Sequence, residues 1–244
     1  MPRQLRIDKE IQFIGDALHA RNVRGPLQER KRHDWDRFTG IALDTTNKWA
    51  TSVPGTGDSI AISEVQGGSG LITTGSVDDD SCMMSGAIIY SGDKLAVVEF
   101  RITITDVSGT GLFVGFSDAK LENNNSIAIH YPADVITAVA TNAVGFVVDA
   151  DHATSSIMCG GVKADVAETA EDSGTDWADG ETKVLRVELN GDEATFFLDG
   201  VVVAFLDDAV TAATLLCPTI QAITRANDGS NTVRAHSFDA WQDD

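Results

Sequence analysis

Basic residues are scarce in this chain, and cysteine, tyrosine and long apolar runs are scarcer. Of its 244 residues, 18 are Lys or Arg against 37 Asp or Glu, a formal net charge of −19. A surface this acidic repels phosphate backbones, which excludes nucleic acid as a partner for the bulk of the chain. Three cysteines, Cys82, Cys159 and Cys217, are far apart and odd in number. They form no CxxC or Cys/His zinc spacing and no disulfide framework, and read as free thiols packed like small apolar groups. No apolar run approaches the roughly 20 residues of a membrane-spanning helix, so no membrane partner is expected. The opening MPRQLRIDKEIQFIG is charged and lacks the apolar stretch of a signal peptide, so synthesis and folding in a cytoplasm are expected.

Catalytic and metal signatures are also missing. There is no GxSxG, and the five histidines (His19, His33, His130, His152, His236) lack the Ser/Asp company of a triad. No strand carries the alternating acids, E-x-D-x-x-E, of a jelly-roll glucanase, so no carboxylate pair for glycoside hydrolysis is visible. Acid runs at Asp78–Asp80, at Asp149 and Asp151, and at Asp207 and Asp208 lack the spacing of a calcium loop and read as solvated turns. The Gly-rich GGSG and SGTG lack the Lys and helix of a phosphate loop. The expectation is therefore no enzyme, no metal and no cofactor.

Half of the basic residues lie in the first 40 positions, where nine bases meet six acids; the other 204 residues hold nine bases and 31 acids. Ile7, Ile11, Ile14 and Leu18 recur on one face of a helix, and Arg30, Lys31 and Arg32 cluster after a Gly25–Pro26 break. Residues 1–40 thus read as a basic N-terminal arm with a short helix. It is either a solvated tail or a segment that docks on an acidic or apolar partner.

From residue 41 to 244 the texture is all-β. In LAVVEFRITITDV, Phe100, Ile102 and Ile104 share one face and Arg101 and Thr103 the other. VLRVELNGDEATFFLDGVVVAFL reads as a three-strand meander. Leu185, Val187 and Leu189 face inward, as do Ala194, Phe196 and Leu198, with tight turns at Asn190–Asp192 and Asp199–Gly200. SIAIHY reads as a further strand and EDSGTDWADGET as a polar loop. Roughly a dozen short strands, with no helix after residue 40, predict an antiparallel β-sandwich or barrel. Trp49 and Trp241 are expected to pack together where the terminal strands meet. Trp177, in the polar loop, and Asn123, Asn124 and Asn125, in another, are the candidate glycan contacts.

ATFFLDGVVVAFL resembles the F-Y-x-D-G-x-x-V hairpin of the concanavalin-A-like, laminin-G-type jelly-roll superfamily. ALDTTNKWATSVPGTG, EFRITITDVSGTGLFVGFSDA, AVGFVVDAD, VLRVELNGDEATFFLDG and CPTIQAITRA, in that order, resemble tailed-bacteriophage capsid decoration and head-fibre-like proteins. This resemblance covers residues 41–244. It implies a jelly-roll sandwich on the outer capsid surface of a virion, assembled in a host cytoplasm and non-enzymatic. Its partner would be the major capsid protein, and by analogy it would form a homo-oligomer, a trimer. On that reading Ile7, Ile11, Ile14, Leu18, Arg30, Lys31 and Arg32 form the docking arm. The alternative is a carbohydrate-binding module of a phage fibre, tail or baseplate, meeting a cell-surface glycan. A glycoside hydrolase or lyase would need the missing carboxylate pair.

Overall fold

The computed structural model describes residues 31–63, 67–120, 126–167, 170–225 and 229–243. Its strands are numbered in chain order. One eight-stranded sheet contains β1 (Lys31–Asp36), β3 (Ser59–Ser63), β4 (Ser69–Thr73), β6 (Val97–Ile104), β14 (Thr182–Asn190), β15 (Glu193–Leu198), β16 (Val201–Leu206) and β18 (Thr232–Asp243). A second contains β2 (Ala50–Ser52), β5 (Ser81–Ser85), β7 (Thr110–Ser117), β10 (Ala143–Val148), β11 (Ser156–Lys163), β12 (Val166–Ala167), β13 (Glu171–Asp176) and β17 (Cys217–Thr224). β8 (Ile129–His130) and β9 (Thr137–Ala138) form a two-stranded ribbon. Every pairing is antiparallel, and the only helical pieces among the described residues are two single 3-10 turns. The chain is an all-β antiparallel sandwich of the concanavalin-like jelly-roll kind.

Period-two patterning builds the core. Phe100, Ile102 and Ile104 of β6 meet Leu185, Val187 and Leu189 of β14 on the inner face of the first sheet, all of them buried. Leu112, Val114 and Phe116 of β7 face them from the second sheet, with Phe146 packed edge-on against Phe196 at 5.3 Å. Each such side chain contributes about 1.5–3 kcal/mol on leaving water. The two hairpin turns form as expected. Asp199 and Gly200 both adopt positive φ (50° and 84°), the backbone twist that joins β15 to β16 in two residues.

Four sequence expectations change. The sandwich begins before residue 41: β1 pairs with β18 from Lys31↔Asp243 to Asp36↔Phe238, and Phe38 is buried in the core. Lys31 and Arg32 are therefore strand residues, Arg32 exposed, rather than parts of a separate arm. Ile7, Ile11, Ile14, Leu18 and Arg30 lie outside the described residues. EDSGTD, expected as loop, is the edge strand β13, held by pairing with β11 although its side chains are mostly exposed. Trp49 packs between Phe38 (5.7 Å) and Phe238 (4.9 Å), but Trp241 follows the inward-facing Ala240 and so falls on the opposite face of β18.

The fourth change concerns SIAIHY. Only Ile129 and His130 are strand; Ile127, Ala128 and Ile129 instead cover the outer face of the second sheet, against Phe113, Val147, Met158 and Ile223. Glycines make room for this cover. Gly115, Gly145 and Gly160 pair side by side across β7, β10 and β11, and a Cβ on Gly160 would press on Ile136 at 3.2 Å. The central strands of the second sheet, β7, β10 and β17, are thus buried on both faces by their own chain.

Candidate functional site

One end of the sandwich gathers the loops after β4, β6, β10, β13 and β17. Arg225, directly after β17, is buried there. Its Nε and one terminal nitrogen donate to the two carboxylate oxygens of Asp149 at 2.9 and 3.0 Å. The other terminal nitrogen donates to Asp79 at 2.6 Å, and Asp151 lies 3.5 Å from Nε. The Asp149 side chain is fully buried, and it also accepts the backbone N–H groups of Tyr131 and Asp151. A bidentate, charge-assisted pair of this kind fixes both planes and locks the loops that carry them.

His130 completes the buried cluster. Its Nδ1 is 2.7 Å from a terminal nitrogen of Arg225, and its Nε2 accepts the N–H of Ile127 at 3.1 Å. Burial, and then the Arg225 charge, hold its pKa below the usual imidazole value. Asp151 is shifted the other way: partial burial raises it, Arg225 opposes, and the carboxylates of Asp149, Asp78 and Asp79 add to the rise.

Above this base opens a depression of about 540 Å³. Asp149 and Trp177 form part of its floor, and Ser108, His152, Thr154, Asp176 and Asp179 bring hydroxyl, imidazole and carboxylate groups to its walls. The His152 ring, one of the lining groups, packs on Tyr131, which lies outside the lining, 4.8 Å between centroids. Hydrogen bonds from Thr154 to Ser156 (2.8 Å) and from Ser156 to Asp176 (3.2 Å) tie two walls together. Asp179 accepts the N–H of Val107 at 2.8 Å and ties a third.

Trp177 lines this depression but is only 2% exposed, and its indole N–H is given to the Glu181 carbonyl at 3.0 Å. It supports the floor and has no open face for stacking. Asn123, Asn124 and Asn125 lie outside the described residues. Among the described residues no group of three or more His, Cys, Asp or Glu is placed to hold a metal ion. Asp79 serves Arg225, and Asp208 joins Asp192 in an ion pair with Lys163. The sequence pointed to none of Arg225, Tyr131, His152 and Asp176, because they come from separate loops. The available hint was an isolated Arg ending a strand in so acidic a chain.

No protein-family model matches this chain, and no curated protein matches it significantly. Solved structures do share its fold. A LamA variant of Zobellia galactanivorans, in complex with laminaritriose and laminaritetraose, is 14% identical with a TM-score of 0.61, over 86% of this chain and 98% of its own. The carbohydrate recognition domain of Emp47p is 11% identical with a TM-score of 0.54, over 84% and 94%. A protein of unknown function from Shewanella oneidensis MR-1 is 9% identical with a TM-score of 0.58, over 97% of both chains. A sialidase also matches, but this chain spans 18% of it. At these identities the likeness shows the fold alone.

The comparisons overturn two expectations. Kinship with phage capsid proteins fails, because the similar structures include glucanases, a sialidase and a carbohydrate recognition domain, and the capsid-decoration role falls with it. The expectation of a non-enzymatic protein falls too, since most of these neighbours are glycoside hydrolases built on the same sandwich. The physical reason for the error is plain: the motifs behind the resemblance are turns and core faces, which report fold and not task.

Proposed function

We propose that this protein is a carbohydrate-directed module that engages a neutral glycan in the depression at the loop end of the sandwich. One observation carries the reading. The depression combines hydroxyls, carboxylates and the His152 imidazole on a base locked by the Arg225–Asp149 pair. Carboxylates accept pairs of sugar hydroxyls, and rings pack on the C–H faces of a pyranose; a rigid base spares the ordering cost of binding. Asp176 and Asp179 on the cavity walls disfavour uronic and sialic acids. The test is calorimetric titration of neutral and acidic oligosaccharides into the intact protein and into a His152→Ala/Asp176→Ala variant. Neutral sugars should bind the parent and lose about tenfold in the variant. Equal binding by both proteins sinks the assignment of the site.

A second reading, cleavage of a glycosidic bond beside the same depression, is favoured by one carboxyl. Asp151, half exposed and 3.5 Å from the Arg225 Nε, has its carboxyl pKa raised by partial burial and by the neighbouring carboxylates. Reducing-end release from neutral polysaccharides, abolished by Asp151→Asn, would support it; no release by the parent would reject it.

A further inference from the structure

The outer face of the first sheet carries a row of side chains that runs across six strands. The registers align Val202 of β16, Phe197 of β15, Arg186 of β14, Glu99 of β6, Asp239 of β18 and Trp35 of β1. Five inter-strand steps make this row roughly 24 Å long. Its two ends are exposed: Val202 is 56% exposed, and Trp35 54%, with the Arg37 and Lys48 cations 5.9 and 5.7 Å from its ring centroid. The next row runs from Phe205, 53% exposed, through Thr195, Glu188 and the buried Val97 to the half-buried Trp241 and then His33.

Charge fills the middle. The Arg186 guanidinium lies over the Phe197 ring, 4.0 Å from its centroid, with Nε 3.1 Å from a Glu188 oxygen. Asp239, whose side chain is only 4% exposed, lies beneath the surface, held by Arg37 at 2.9 Å with His33 3.3 Å away. Protein–protein interfaces have the reverse layout, an apolar centre within a polar rim. A second copy of this chain, itself at −19, would also meet like charge. Exposed rings at Trp35 and Phe205, with the part-exposed Glu99 and Arg186 between them, suit instead a neutral chain of pyranose units. Such a chain offers apolar ring faces and hydroxyls along its whole length.

We infer that this face is a second, extended glycan-binding surface, for a linear neutral polysaccharide lying across the strands between Trp35 and the Phe197/Phe205 end. It rests on the carbohydrate-directed reading but is separate from the depression. The row crosses β6 at Glu99, five residues and roughly 17 Å from the strand end that leads to the loops. It takes long chains, where the depression takes short ones.

The experiment uses the intact protein with a panel of soluble neutral polysaccharides (a β-1,3-glucan, a mixed-linkage β-glucan, a xylan and a mannan) and their trisaccharides. Affinity is measured for the parent, for Trp35→Ala/Phe205→Ala and for His152→Ala/Asp176→Ala. Both positions of the first pair are exposed, so unchanged melting verifies the fold, and Trp35→Phe should restore most binding. The expected result is a loss of about tenfold for the polysaccharide in the face variant, with trisaccharide affinity held within about twofold. Polysaccharide should also shield Trp35 from iodide quenching. If the face variant keeps full polysaccharide affinity while the depression variant loses it, this inference is wrong and the carbohydrate reading stands. If the parent binds nothing in the panel, both fall. If the parent self-associates and Trp35→Ala disperses it, the face is an interface between copies and the inference is overturned.

Discussion

Replacing Arg225 with Met tests the buried base of the site. The change removes both donors to Asp149, whose side chain is fully buried, and leaves that carboxylate without its counter-charge. Breaking a buried pair from one side costs about 3–5 kcal/mol. Two backbone N–H groups, from Tyr131 and Asp151, still serve Asp149, which places the loss near the lower end, about 3 kcal/mol. Release of Asp79 adds little, because that carboxylate is half exposed. For a chain of this length the loss corresponds to a melting temperature lower by roughly 6–12 °C. Adding Asp149→Asn to Arg225→Met should recover about 2 kcal/mol of it, since no uncompensated charge then remains. Near-UV circular dichroism melts of the parent, both single variants and the double variant close the cycle. A cost below about 1 kcal/mol for Arg225→Met, or strict additivity in the cycle, would refute the account of the cluster.

Other perturbations have equally definite outcomes. His130 and His236 have folded pKa values below the usual imidazole value, set by burial and neighbouring arginines, so each charges less readily in the fold than in the unfolded chain. Their contribution is complete above the unfolded value of about 6.5 and is lost as pH falls below it. Urea midpoints should therefore decline from pH 7 to 5.5, and a His130→Gln/His236→Gln variant should flatten that decline. Gly115→Ala places a Cβ 2.1 Å from the Val144 carbonyl oxygen, which only backbone movement relieves. A loss of about 3 kcal/mol in chemical denaturation is expected, and a neutral result would contradict the close approach of β7 to β10.

Much of the fold was legible because burial on one face imposes a period of two. The alternation in Val97–Ile104 and Thr182–Asn190, and the Asn-Gly and Asp-Gly turns, placed the first sheet and its inner face correctly. The second sheet was harder to read, since its central strands are buried on both sides and Thr110–Ser117 shows no alternation in burial. β1 was hidden because KRHDWD is polar, and its strand character comes from pairing with β18 rather than from propensity. The site resisted for another reason. Arg225, Asp149, His130 and Asp79 meet only through tertiary closure of four loops, and no spacing along the chain encodes that meeting. Trp177 was singled out by its polar neighbours, yet large aromatics in polar loops commonly turn inward, as this one does.

The most direct test of the central claim is to locate a bound sugar. Backbone amide shifts of the isotope-labelled protein would be followed while a neutral trisaccharide is added. The account predicts saturable changes centred on Ser108, His152, Thr154, Asp176 and Asp179, the walls of the depression. Saturable changes confined elsewhere would move the site, and an unchanged spectrum across neutral sugars would contradict the carbohydrate-directed reading.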